Sequence, residues 1–345
     1  MAEMTGTERV LTALRREEPD RVPHFEWLIS ARVREALCPG CTSHNDFAER
    51  MGHDAVLVSP DYRKEQVGDD RWRTEWGYVV EYGQEEHGVE VSSPIKTLDD
   101  FRGYTPPDPH APGRYDSLEE AVARYKGRLA VGVHLNDVFS IPRCLLGMEG
   151  LLMAIAAQPD LVRGLVELSV EVNLALAREV ARRGADFVWT GDDYAGNDGL
   201  FMSPRHFHEL FGPGFRRIAA GFAAEGLPFI KHCDGNLHPI LDLLVDAGIT
   251  CLDPIDPRGG MDLADIKARH GSRIALKGNV DCTEVLVTGT EEEVIQATKA
   301  ALRAGAPGGG YILSSSNSIH SSVRPENYRL MMETLTRFGT YPISL

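Results

Sequence analysis

The feature that most constrains this chain is a rhythm, in which short apolar runs alternate with longer amphipathic stretches. Short apolar runs bounded by turn residues read as buried strands, and apolar positions recurring every three or four residues read as helix faces. The clearest runs are Ala55 to Ser59, Leu129 to His134, Phe187 to Thr190, Pro228 to His232, Thr250 to Pro254, Ile274 to Lys277 and Tyr311 to Ser314. Val22 to Leu28 makes a first strand and completes a set of eight. Among the helical patterns, Leu161, Leu165, Leu168, Val172, Leu176 and Val180 form one apolar stripe. Eight strands separated mostly by helices predict an α/β fold of the (β/α)8 TIM barrel type. The chain has 345 residues, somewhat more than the ~250 typical of such a barrel, and residues 1–345 read as a single domain. Part of the surplus falls in Trp72 to Ser93. Its alternating pattern around Tyr82-Gly83 and a Glu85-Glu86-His87-Gly88 turn predicts a β-hairpin insertion after the second strand.

Charge narrows the partners. The chain carries 36 Lys and Arg against 51 Asp and Glu, a formal charge of −15, so its surface repels phosphate backbones and no nucleic acid partner is expected. The N-terminus lacks the basic and apolar regions of a signal peptide, and no apolar run approaches the ~20 residues of a membrane span. The expectation is a cytoplasmic chain without a membrane partner, whose six cysteines are reduced thiols. Cys38-Pro39-Gly40-Cys41 has the C-x-x-C form of redox and zinc sites. It reads as a structural turn, because no second such pair follows. The helical exterior is compatible with a homodimer.

In a parallel barrel the reactive groups sit where strands end and loops begin. Those ends are polar here. His232 and Asp234 in Ile230-Lys231-His232-Cys233-Asp234-Gly235 are two residues apart on an extended run, so both address the barrel axis while Cys233 points away. An imidazole beside a carboxylate can share a divalent metal or form an acid/base pair. Asp192, Asp193 and Tyr194 end another strand and are read as positioning substrate. Glu26, His134, Asn136, Asn279, Asp281, Asn317 and His320 are read as lining the pocket. Helix capping accounts for part of this polarity, since Asp, Asn and Ser cap the helices that follow.

Taken together, several motifs resemble the uroporphyrinogen decarboxylase superfamily. They are Thr7-Glu8-Arg9-Val10-Leu11, Pro19-Asp20-Arg21-Val22-Pro23, Asp192-Asp193-Tyr194-Ala195-Gly196, Met202-Ser203-Pro204-Arg205, His232-Cys233-Asp234-Gly235, Leu276-Lys277-Gly278-Asn279-Val280-Asp281 and Gly309-Gly310-Tyr311. The resemblance implies a barrel and one of two activities, tetrapyrrole decarboxylation or zinc-dependent methyl transfer in corrinoid and coenzyme M metabolism. The decarboxylases carry an arginine-rich segment near the N-terminus, and this chain has Phe25-Glu26-Trp27-Leu28-Ile29-Ser30-Ala31-Arg32 there, with one arginine. The methyltransferases hold zinc through a His-x-Cys pair and a later cysteine. His232 matches the histidine, Asp234 stands in place of the first cysteine, and the later position falls near Ser316 or Asn317.

The expected function is a methyltransferase that moves a methyl group from a small methylated substrate, with methoxylated molecules as one candidate class, to a corrinoid or thiol acceptor. His232 and Asp234 hold a zinc-class Lewis acid, and a separate protein carries the corrinoid. A decarboxylase that needs no metal and a non-catalytic binding barrel remain open as alternatives.

Overall fold

A computed structural model describes residues 3–83, 85 and 87–345. Thirteen strands occur among them: β1 Ala55–Val58, β2 Lys64–Gln66, β3 Arg71–Thr74, β4 Val79–Glu81, β5 Val89–Ser92, β6 Ala130–Leu135, β7 Phe187–Thr190, β8 Ala195–Gly196, β9 Gly199–Leu200, β10 Phe229–His232, β11 Cys251–Asp253, β12 Ala275–Val280 and β13 Tyr311–Ser315. Seven form a curled parallel sheet in the order β1-β6-β7-β10-β11-β12-β13, as in barrel-like α/β folds. The Val22–Leu28 run is not a ladder strand. It makes one parallel bridge, His24 to Leu313. The Pro23 carbonyl accepts from the Leu313 N–H (2.9 Å) and the His24 carbonyl from the Asp54 N–H (2.7 Å), so residues 23 and 24 touch both edges of the sheet. Pro23 inside this run cannot donate to a neighbouring strand, which limits the ladder.

Side chains alternate across each strand. One face gathers Ala55, Ala130, Phe187, Trp189, Ile230, Cys251, Ala275 and Ile312, with Phe25 and the helix Gly6–Leu14 against them. Small and large residues combine here because a curled sheet leaves little interior room. The opposite face packs on the helices, including Pro159–Arg182, whose Leu161, Leu165, Val172, Leu176 and Val180 are buried as the stripe predicted. The expected Pro204–Ala224 helix is interrupted by one wider turn, Phe207–Phe211, before continuing as Gly212–Ala224. Among the described residues no single helix is long and apolar enough to cross a membrane.

The insertion is larger than a hairpin. Between β1 and β6 stands a four-stranded antiparallel sheet, β2-β3-β4-β5. A four-residue reversal joins β3 to β4, where the Thr74 N–H donates to the Tyr78 carbonyl (2.9 Å). The turn expected at Glu85 to Gly88 joins β4 to β5, and its Glu86 lies outside the described residues, as does Gln84. Buried Arg114 anchors the sheet by donating to both oxygens of Glu75 (3.0 and 2.8 Å) while its guanidinium lies over the Tyr62 ring.

One cysteine expectation is corrected. Cys38 and Cys41 are joined as a disulfide, because Gly40 at φ 76° turns the chain back and brings the two Cα atoms to 5.8 Å. The four remaining cysteines are free and buried.

The N-terminal motifs are structural. Arg9 donates to Asp20 (2.6 and 2.9 Å) and Asp54 (3.2 Å), and Arg21 donates to Asp54 (3.0 and 2.9 Å). Above this network His24 is fully buried, with Nδ1 at 3.0 Å from the Leu313 carbonyl and Nε2 at 3.1 Å from the Tyr328 hydroxyl.

Two predictions follow from the fold. Burial holds the pKa of His24 down to about 3, so the unfolded chain binds a proton there that the folded chain refuses. The stability due to neutral His24 is complete above pH ~6.5 and is lost as pH falls toward 3, with a slope of up to about 1.4 kcal/mol per pH unit. Urea unfolding at a series of pH values should show a shallower acid slope in His24→Gln. The second concerns the turn after β10. Gly235 has φ 79°, and a Cβ there would lie 2.4 Å from the Gly196 carbonyl oxygen, whereas Gly226 has φ 73° and open space around it. Gly226→Ala should cost about 1–2 kcal/mol for backbone strain alone. Gly235→Ala should cost roughly 2–4 kcal/mol, because the clash adds to the strain.

Candidate functional site

The strand ends open into a cavity of about 850 Å³. The parallel sheet and its loops contribute Trp27, His134, Asn136, Trp189, Asp193, His232, Asp234 and Asn317. The insertion supplies the facing wall, with Thr74, Trp76, Tyr78 and Glu90. Trp27 and Trp189 stack with centroids 5.0 Å apart, and His134 and His232 lie 5.1 and 4.9 Å from the Trp189 ring. An apolar aromatic floor therefore carries two imidazoles.

His232 ends β10 and is almost wholly buried. Its Nδ1 lies 2.9 Å from Asp253 Oδ2. Asp253 ends the neighbouring strand β11 and also accepts from Trp189 Nε1 (2.8 Å) and Lys277 Nζ (2.9 Å). Burial by itself would raise the Asp253 pKa, but the Lys277 and His232 charges and the hydrogen bonds they donate hold it well below the usual carboxylate range. An ionised Asp253 fixes the ring and turns Nε2 toward the cavity.

Two carboxylates meet that nitrogen. Asp234 Oδ1 lies 3.4 Å and Asp193 Oδ1 3.9 Å from His232 Nε2. Asp193 is held by the Asp234 backbone N–H (3.0 Å), and Asp234 accepts from the Asn317 amide through its other oxygen. Burial opposes a charged His232, yet Asp234 and Asp253 raise its pKa to about 9. Burial also pushes Asp234 up to about 7, against the pull of His232.

These residues fit a divalent ion. Asp193, His232 and Asp234 each offer a ligand atom, all within 4.8 Å of one another. Among the described residues Asp234 Oδ1 is buried without a hydrogen-bond donor and faces His232 Nε2 at 3.4 Å, so a cation held between the two would satisfy it. The carboxylate behind His232 Nδ1 matches the usual support of a metal-bound imidazole. The donor set is nitrogen and oxygen only. Cys233 faces away from the cavity, its sulfur accepting from the Tyr194 N–H (3.2 Å), and the Cys282 sulfur lies against Ser316 Oγ (3.5 Å).

Of the residues read from the sequence, His232, Asp234, Asp193, His134, Asn136 and Asn317 share the cavity. The others are placed elsewhere. Asp192 turns to the helix side, where its carboxylate accepts from the Phe139 and Ser140 N–H groups (2.8 and 2.7 Å) at the start of the helix Ser140–Leu146. Tyr194 is fully buried behind β10, its hydroxyl on Asp137 and its ring under the Lys231 ammonium. Both corrections follow from alternation, since only one of two adjacent side chains can face the axis. Glu26 is buried against Ser315, accepting from its N–H and Oγ (2.8 Å each). Asn279 donates to the Ile255 carbonyl (3.0 Å), Asp281 caps the turn at Thr283 and Glu284, and His320 Nε2 sits 3.1 Å from the Cys282 carbonyl.

Sequence reading passed over Trp189, Lys277 and the function of Asp253. Lys277 had a visible signal, because a lysine inside an apolar strand run must find a buried partner.

The sequence profile of the uroporphyrinogen decarboxylase (URO-D) family matches residues 73–338. Uroporphyrinogen decarboxylase of Aromatoleum aromaticum is 24% identical over 268 residues, covering 74% of this chain and 72% of that protein. The methylated-thiol–coenzyme M methyltransferase of Methanosarcina mazei is 21% identical over 320 residues, covering 88% and 83%. The methylcobamide:CoM methyltransferase MtbA of the same organism is 24% identical over 330 residues, covering 88% and 91%. A solved structure of a methyltransferase from Methanosarcina mazei shares the fold, with a TM-score of 0.75 at 18% identity over 97% of this chain and 99% of that one. The relatives span decarboxylases and methyltransferases alike, and the chain belongs to the uroporphyrinogen decarboxylase (URO-D) family.

Proposed function

We propose that this chain is a methyltransferase that removes a methyl group from a small methoxylated molecule bound in the aromatic cavity and delivers it to a corrinoid on a separate protein. The whole of residues 1–345 is read as one (β/α)8 barrel unit, with the Val22–Leu28 segment as the first strand that brings the set to eight. The observation that carries the reading is the Asp193, His232 and Asp234 cluster on the cavity wall, with the buried Asp234 Oδ1 lacking a hydrogen-bond donor among the described residues.

In this reading His232 Nε2 and one oxygen each of Asp234 and Asp193 hold a divalent ion of the zinc class. When bound, the ion supplies Lewis acidity that polarises an ether oxygen and makes its methyl group a better electrophile. Asp253 keeps the His232 proton on Nδ1, so that Nε2 stays available as a ligand. Asn317 orients Asp234 through its amide. Trp27 and Trp189 exclude water from the floor, which strengthens every charge interaction above them. The decarboxylases' arginine cluster has no counterpart in the Phe25 to Arg32 segment, which favours an uncharged substrate over a poly-anion.

One observation favours a second reading. Without an ion, His232 with a pKa of about 9 beside Asp234 at about 7 is a buried acid pair able to protonate a carbanion, as a metal-independent decarboxylase requires.

Elemental mass spectrometry separates the two. About one zinc-class ion per chain is expected in the wild type. His232→Ala and Asp234→Ala should lose it, and Asp253→Asn should bind it roughly 10–100-fold more weakly. Methyl transfer from methoxylated compounds to free reduced cobalamin should fall roughly 100-fold or more in the first two variants. Folded variants that keep the full metal content would overturn the ligand assignment.

A further inference from the structure

The cavity wall opposite His232 contains a second polar group that the proposed chemistry does not use. Glu90, on β5 of the insertion, accepts from Arg143 Nη1 (2.5 Å) and from the Cys144 thiol (3.3 Å), and all three residues line the cavity. Arg143 and Cys144 belong to the helix Ser140–Leu146, so the pair spans two separate parts of the chain. Among the described residues the other guanidinium N–H groups of Arg143 have no partner, and the side chains of Arg143 and Glu90 are 26% and 22% exposed, so both still reach the open space. Trp76 and Tyr78 line the same cavity as the pair, and with Asn136, Ser140 and Cys144 they also bound a small adjoining niche.

We propose that Glu90 and Arg143 form a subsite that reads a hydroxyl group on a flat, uncharged substrate. The inference rests on the reading of this cavity as a substrate site. An isolated arginine would select an anion. Here Glu90 neutralises the guanidinium and leaves a donor and an acceptor side by side. A hydroxyl matches both, because it accepts from Arg143 and donates to Glu90. A carboxylate matches only the arginine and meets the Glu90 charge. An ether or a bare ring adds no donor to the lone pairs that Glu90 keeps beyond its bonds from Arg143 and Cys144, and a site built to bond a hydroxyl discriminates against the analogue that lacks it. The aromatic walls supply the surface on which the flat body of the molecule lies.

The test uses phenol, anisole and benzoate as probes, with binding to the full chain measured by ligand-observed NMR in the presence of a chelator and without any methyl acceptor. Phenol should bind at least about tenfold more tightly than anisole or benzoate. Arg143→Met and Glu90→Gln should each reduce that preference to about twofold or less, with thermal unfolding recorded to confirm that both variants fold. If Arg143→Met does not fold, Glu90→Gln and Arg143→Lys carry the test. They keep the contact between insertion and helix but lose the charge or the fork. Equal binding of phenol and anisole, no binding of phenol, or a preference that survives in the folded variants would overturn the proposal. Tightest binding by benzoate would overturn it in favour of an anion subsite. Because the assay needs neither metal nor turnover, its failure is distinguishable from failure of the methyl-transfer reading, which metal analysis tests separately.

Discussion

A buried carboxylate holds this site together. Asp253 takes hydrogen bonds from an indole, an imidazole and an ammonium on three other strands, β7, β10 and β12. An isolated charge in that position would be costly to bury, and three donors with two positive partners make it the most stable form. Lys277 also donates to Ser314 Oγ at 3.0 Å, so the hydrogen-bonded network continues onto β13. Five of the seven parallel strands thereby share one electrostatic arrangement, and the orientation of His232 is set by it.

Much of the architecture was legible because periodicity depends only on which side of an element faces water. The strand runs at Phe187, Pro228 and Tyr311 and the stripe from Leu161 to Val180 fall where the pattern places them. The first strand was less legible. Val22 to Leu28 has the apolar content of a strand but pairs through one bridge, a property of proline placement and partner geometry rather than of hydrophobicity. The insertion exceeded its prediction because β2 and β3 are short and mostly exposed, leaving little apolar alternation to read.

The candidate site divided along a similar line. His232, Asp234 and Asn317 could be found from strand ends alone. Asp192 and Tyr194 could not be told from Asp193 without knowing the phase of the strand, since adjacent carboxylates differ only in the face they occupy. The acid at position 192 is consumed in holding a helix start, and its neighbour is left to the cavity. Disulfide pairing was also beyond the composition, because the number of cysteines says nothing about where a glycine turn brings two of them together.

The insertion between β1 and β6 has a consequence for how such a chain can change. It joins the sheet at one gap, is anchored by Arg114 and Glu75, and reaches over the cavity from outside the repeating frame. Residues on it can be exchanged without disturbing the hydrogen bonds that fix His232, because none of those bonds involves the insertion. The floor of the cavity and its roof are thus separately heritable. About thirty residues, β2 to β5, can therefore vary along one wall of the cavity while the bonds that orient His232 on its floor stay as they are.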